Sequence, residues 1–245
     1  MTFTRRLLVA AAAASALAAS AGFSGAALAA TPAAGQPSVV IVHGAFADGS
    51  DFAKVVPLLQ REGVQVTVVQ NPLSSLADDV AAARRAIDAQ PGKVVLVGHS
   101  WGGTVITEAG NSPKVASLVY VAAFAPDAGQ NTAEQGKGFP TPSGSAHFKA
   151  DAQGWLSLTE EGMRHHFAQD LPAATTAVMT ATQGPIQAKA FEDTVTVPAW
   201  KAKPSWYLLA TSDHMIAPEA QAAMAKRANA TVTRVDSSHV PQQSK

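Results

Sequence analysis

Val94-Val95-Leu96-Val97-Gly98-His99-Ser100-Trp101-Gly102-Gly103 is the stretch that decides how this chain folds. Its four leading residues are apolar and three are β-branched, the composition of a strand buried on both faces. Gly-His-Ser-Trp-Gly follows at once, and Thr104-Val105-Ile106-Thr107-Glu108-Ala109 can run on as a helix. Strand, sharp turn and helix form the context in which a G-x-S-x-G turn lifts a serine hydroxyl above a sheet edge. Gly98 and Gly102 stand where a Cβ would strike neighbouring backbone, and the turn strains the serine between them. The following helix directs its positive N-terminal end at the hydroxyl. Ser100 is therefore the candidate nucleophile.

Outward from this stretch, strand and helix patterns alternate. Towards the N-terminus, Val39-Val40-Ile41-Val42 reads as the first buried strand and ends in His43-Gly44-Ala45-Phe46-Ala47-Asp48-Gly49. Ser50 or Asp51 caps a helix through about Arg61, with Phe52, Val55, Val56, Leu58 and Leu59 on its buried side. Pro57 kinks or delays that helix, and Gly63 stops it. Val64 to Val69 is the second strand, and Ser75 caps a helix to about Ala89 with Asp78 and Asp79 in its first turn. After the helix that Ser100 opens, Val115 to Ala123 is the fourth strand. The pattern calls for a mostly parallel, doubly wound α/β sheet.

The rhythm breaks after Phe124-Ala125-Pro126-Asp127. Residues 128 to about 198 are polar and rich in Gly and Pro, with scattered aromatics and two helical patterns, Thr159 to Gln169 and Pro172 to Ala181. A structureless loop of that length is improbable in a compact domain, so this is read as a lid inserted after the fourth strand. Ser205 to Ala210 resumes the sheet, Pro218 opens a helix ending near Arg227, and Thr231 to Val235 is the last strand.

The chain has 245 residues, 47% of them hydrophobic and 15% charged, enough for a single sizeable core. Formal net charge is zero and no basic patch occurs, which argues against nucleic acid as a partner. With no cysteine, a thiol nucleophile, a disulfide framework and a Cys-ligated zinc are excluded. The seven histidines form no H-E-x-x-H pattern, so no metal is expected. Residues 1–29 read as a secretory signal peptide, with Thr4-Arg5-Arg6, an uncharged Ala-rich run and a small-x-small site at Ala27-Leu28-Ala29. The run is weakly hydrophobic for a membrane anchor, the alternative. Thr-Arg-Arg-Leu-Leu also loosely resembles a twin-arginine signal. The mature domain, residues 30–245, is expected to be secreted or periplasmic, without stable membrane association.

A serine hydroxyl needs a histidine to take its proton and an acid to orient that histidine. Ser100, Asp213 and His239 each follow a strand at its C-terminal end, where open α/β sheets form their sites. Asp127 and Asp236 compete with Asp213 as the acid. His43 and His99 read as loop-tying residues, His165 and His166 as lid residues, and His214 as a brace of the Asp213 loop. The backbone N–H groups of Trp101 and Ala45 are the candidate oxyanion donors, with Phe46 as second choice to Ala45. Phe46, Phe124 and Trp155 are candidate substrate contacts.

The motifs at 43–49, 98–103 and 122–126, the Asp213 loop through Pro218-Glu219, and Ser237-Ser238-His239 together resemble the α/β-hydrolase superfamily. They are most similar to small bacterial esterase-like members related to the plant methylesterase and hydroxynitrile lyase branch. The resemblance implies hydrolysis of a small-molecule carboxylic ester or amide in a capped pocket, without a cofactor. The lyases of that branch carry Thr where this chain has Gly44 and Lys where it has Val240, and both departures favour an esterase. Such relatives continue past the histidine into a final helix. Here only Val240 to Lys245 follow, so that helix is expected to be missing and apolar sheet surface exposed. Two other readings stay open: a hydroxynitrile-lyase-like activity, and a slow-turnover binding protein on the same fold.

Overall fold

The structure, a computed structural model, describes residues 37–245. The expected signal peptide lies outside the described residues. β1 (Ser38–Val42) leads through a 3-10 turn at Gly49–Phe52 into α1 (Val55–Arg61). β2 (Val66–Val69), α2 (Leu76–Asp88), β3 (Val94–His99), α3 (Trp101–Ala109) and β4 (Val115–Val121) follow. The next segment contributes β5 (Phe148–Ala150), β6 (Trp155–Leu158), α4 (Glu160–Gly162), which continues as a π-helical turn over Met163–Phe167, α5 (Ala173–Thr182) and β7 (Ile186–Gln187). β8 (Ser205–Ala210), α6 (Pro218–Arg227), β9 (Thr231–Val235) and α7 (Pro241–Ser244) complete the chain.

Six strands form one parallel sheet in the order β2-β1-β3-β4-β8-β9. β1, β2 and β3 are apolar, largely β-branched runs, whereas β8 is Ser-Trp-Tyr-Leu-Leu-Ala and the mostly exposed β9 is Thr-Val-Thr-Arg-Val. Alternate residues serve the two faces. Val40, Val42, Leu96, Tyr207 and Leu209 point into the larger core, shared with α2, α3 and α6. Val39 and Ile41 join Phe52 and the half-buried Val55, Val56 and Leu59 on the opposite face. On that second face Trp206 is 44% exposed. No helix among the described residues is long and apolar enough to cross a membrane.

α3 is apolar almost all round, and only Glu108 escapes full burial, so it runs through the core rather than over it. Each large side chain it buries, such as Val105 or Ile106, contributes roughly 1.5–3 kcal/mol. Ser75 caps α2 as its position predicts, accepting from the Asp78 N–H at 3.1 Å. Two local expectations at α1 fail. Asp48, not Ser50 or Asp51, takes the Ser50 N–H at 2.6 Å and turns the chain through a 3-10 step first. The delay leaves Pro57 in the first turn of α1, where its missing N–H has no partner to lose, and rotates Leu58 outward to 53% exposure.

The segment between β4 and β8 is ordered. β5, β6 and β7 form a small antiparallel sheet beside α4 and α5. Several of its side chains face Ser100 across a cavity.

Candidate active site

Ser100 occupies the turn between β3 and α3 with φ 52° and ψ −122°, in the left-handed half of conformational space. Such strain persists only where the surroundings over-determine it. Here the Ser100 N–H donates to the Val121 carbonyl at 3.2 Å, and its own carbonyl accepts from Gly103 at 2.9 Å and Phe124 at 3.2 Å. A Cβ on Gly98 would lie 2.5 Å from the Gly102 carbonyl oxygen, so the close approach that tightens the turn requires glycine. Phe46, on the loop after β1, is a second non-glycine residue at positive φ, 60°. Both strained residues border the same cavity.

His239, on the turn after β9, places Nδ1 2.7 Å from Asp213 Oδ2, and both side chains are buried. The Met215 and Ile216 N–H groups donate to Asp213 Oδ1 at 2.7 and 3.0 Å. Gln221 Nε2 donates to Oδ2 at 2.8 Å. The carboxylate is thus held by four donors. His99 donates from Nε2 to the His239 carbonyl at 2.8 Å. Burial lowers the His99 pKa well below the ordinary histidine range, so this ring is a neutral strut. Phe167 packs edge-on against His239 with ring centroids 5.0 Å apart. Ser100 and His239 open onto one cavity.

The competing residues lie elsewhere. Asp127 pairs with Lys201 at 2.5 Å, and that contact holds its carboxyl below the usual range. Asp236 accepts from Ser212 Oγ at 2.7 Å. His43 bonds through Nδ1 to the Gly44 carbonyl at 2.9 Å and accepts the Asn71 N–H at Nε2, 3.0 Å, tying two loops together. His147 stacks on His166 at 4.5 Å between ring centroids, and His214 lies 5.7 Å from His166. This cluster joins the segment between β4 and β8 to the Asp213 loop. Among the described residues, no group of three or more His, Cys, Asp or Glu is arranged to hold a metal ion.

The cavity has a volume of about 280 Å³ and is lined by Ala45, Phe46, Phe124, Phe148, Phe167, Phe191, Met215 and Ile216 among others. Among the described residues His239 is the one titratable side chain that lines it. Phe46 and Phe124 are among the residues that line it. Trp155 does not line the cavity: it stands on β6, paired in register with Gln187, and Phe148 of β5 reaches the wall instead, its ring tilted by 32° to that of Phe46 with centroids 5.2 Å apart. The Phe46 N–H is engaged by the Gly184 carbonyl at 3.2 Å. Among the described residues the Ala45 and Trp101 N–H groups meet no acceptor, which leaves both available.

Two buried carboxyls escaped the sequence. Asp79 accepts from Trp101 Nε1 at 2.7 Å and from the Leu73 N–H at 2.8 Å, anchoring the residue next to Ser100, and burial pushes its pKa up to about 6. Asp51 accepts from Gln243 Nε2 at 3.0 Å, and burial pushes its pKa up to about 7. A raised folded-state pKa means that the native state binds the proton more tightly. The stability tied to the protonated Asp51 is therefore present below about pH 4 and is lost as pH rises to about 7. Asp51→Asn keeps the acceptor for Gln243 and removes the charge. It is expected to raise stability at pH 8 by roughly 2–4 kcal/mol while changing little at pH 4. Thermal denaturation of both proteins at the two pH values checks this.

Comparison with known proteins adds the following. The sequence model of the alpha/beta hydrolase family matches residues 39–245. The alpha/beta hydrolase nvfD of Aspergillus novofumigatus is 27% identical over 229 residues, covering 84% of this chain and 90% of its own. Among solved structures, polyneuridine aldehyde esterase superimposes with a TM-score of 0.74 at 17% identity, over 86% of this chain and 95% of its own. A pyrethroid hydrolase from Sphingobium faniae does so with a TM-score of 0.72 at 21% identity, over 85% and 92%. At those identities the structures share the fold.

Proposed function

We propose that this chain, which belongs to the alpha/beta hydrolase family, is a serine hydrolase that cleaves uncharged carboxylic esters through an acyl-enzyme intermediate. The observation that carries this reading is the opening of the strained Ser100 and the Asp213-oriented His239 onto one apolar cavity. With Nδ1–H donated to Asp213, the His239 Nε2 lone pair is free to take the Ser100 proton. Ser100 Oγ then bonds to the acyl carbon, and the Ala45 and Trp101 N–H groups receive the oxyanion. Collapse returns the His239 proton to the departing alcohol. Water, activated by the same imidazole, releases the acid and restores the serine.

A hydroxynitrile-lyase-like reaction lacks support at Gly44 and Val240. A Cβ on Gly44 would lie 2.7 Å from that of Ser100, so the threonine of the lyases does not fit without a shift. A binding protein of negligible turnover is separated from an esterase by the assay below. The leader at residues 1–29 supports export to the periplasm or medium.

The cavity wall dictates the substrate's charge. A carboxylate carried into it would lose water and meet no cation. A neutral p-nitrophenyl butyrate is therefore expected to be hydrolysed with kcat/KM at least about 100-fold above that of the succinate half-ester, which adds a carboxylate to a similar chain. Equal or reversed rates would overturn the neutral-ester assignment. No saturable turnover of any ester by a folded protein would favour the binding role.

A further inference from the structure

Gln221 stands on α6, and its side chain is completely buried. The helix begins with Pro218, whose neighbours on the buried side are Ala220, Met224 and Ala225. A leucine would complete that apolar stripe. A primary amide in its place must find partners for two N–H groups and a carbonyl. It finds all of them. Nε2 donates to Asp213 Oδ2 at 2.8 Å and to the Ile216 carbonyl at 3.0 Å, and Oε1 accepts the Ala210 N–H at 3.2 Å. Only one orientation of the amide works. Reversed, its oxygen would face a carboxylate and a carbonyl, and its N–H₂ would face the Ala210 N–H.

Gln221 therefore locks three pieces together: the end of β8 at Ala210, the acid at Asp213, and the turn at Ile216 that borders the cavity. Asp213 Oδ2 is shared between the amide and His239 Nδ1 at 2.8 and 2.7 Å, while Oδ1 is fixed by two backbone donors. Rotation of the carboxylate would break several of these bonds at once. We propose that Gln221 is a positioning residue, whose amide sets the Asp213 carboxylate against His239 and thereby the imidazole against Ser100. This rests on the hydrolase reading above. Gln221 does not touch substrate and acts through Asp213.

The test has a readout that does not depend on turnover. In the full chain, the proton between His239 Nδ1 and Asp213 gives a far-downfield proton NMR resonance, identified by its loss in Asp213→Asn. Gln221→Leu keeps the volume and removes the donor. The resonance is expected to shift or broaden, and kcat on p-nitrophenyl butyrate to fall about 10- to 100-fold with little change in KM. Gln221→Glu keeps the acceptor for the Ala210 N–H and donates to Asp213 only while the new carboxyl holds a proton. Two adjacent carboxyls share a proton until pH rises. This variant is expected to keep the resonance at low pH and to lose both resonance and activity as pH rises, on a limb absent from the parent. Because it preserves the bonds to Asp213 and Ala210 when protonated and gives up only the donor to the Ile216 carbonyl, it serves should Gln221→Leu fold poorly. Variants that melt earlier yet retain the parental resonance and pH profile would overturn the proposal and leave Gln221 a structural tie. Full activity in Ser100→Ala would instead overturn the hydrolase reading, with the resonance still judging Gln221.

Discussion

Ser100→Ala is expected to lower kcat on p-nitrophenyl butyrate by about 10⁵- to 10⁶-fold and to leave the fold intact. Among the described side chains of the wall, the other heteroatoms are the Met215 thioether, the hydroxyls of Ser145 and Thr132, and the His239 ring, and none of these hydroxyls sits in a strained turn before a helix as Ser100 does. Thr132 Oγ1 is tied to Thr104 Oγ1 at 2.7 Å and has no base beside it. The fold should survive because the backbone bonds of Ser100 to Val121, Gly103 and Phe124 do not involve its hydroxyl. Kinetics with an unchanged circular dichroism spectrum check both halves. Residual turnover should match the oxyanion donors acting alone.

Asp213→Asn is expected to cost about 10⁴-fold in kcat/KM. The backbone N–H groups of Met215 and Ile216 would hold the asparagine oxygen where Oδ1 now sits. Its N–H₂ would then face Gln221 Nε2 and His239 Nδ1. A donor facing Nδ1 turns the ring to the tautomer with its proton on Nε2, and that nitrogen cannot accept from Ser100. The opposed donors at Gln221 are expected to destabilise the fold by roughly 1–3 kcal/mol. Asp127→Asn, which breaks only the surface pair with Lys201, should leave kcat/KM unchanged. Kinetics and thermal denaturation of the two variants together test the assignment of the acid.

The sheet was legible because its strands are runs of Val, Ile and Leu that no helix period fits, such as Val39–Val42 and Val94–Val97. The Ser, Asp, His order was readable because each residue lies in the loop or turn just past the C-terminal end of a strand pattern. The structure brings Asp213 and His239 into contact and opens Ser100 and His239 onto one cavity. The supporting polar residues were not legible. Asp79 reads as a helix-start acid, Asp51 as a cap and Gln221 draws no reading, because periodicity reveals which residues are apolar and not which polar ones find buried partners. The cap was legible only as an interruption. Its strands β5, β6 and β7 are too short to show a period, and their pairing places Phe148 rather than Trp155 at the cavity. Leu58 fits the buried side of a helix that starts too early, and the 3-10 turn at Gly49–Phe52 removes it from that side.

The most direct measurement is covalent labelling of the full chain with a neutral fluorophosphonate, followed by intact-mass and peptide mass spectrometry. One adduct per chain is expected, on the peptide that carries Ser100, forming far more slowly in His239→Ala and not at all in Ser100→Ala. A folded, ester-cleaving protein that takes up no label, or is labelled on a residue other than Ser100, would contradict the account.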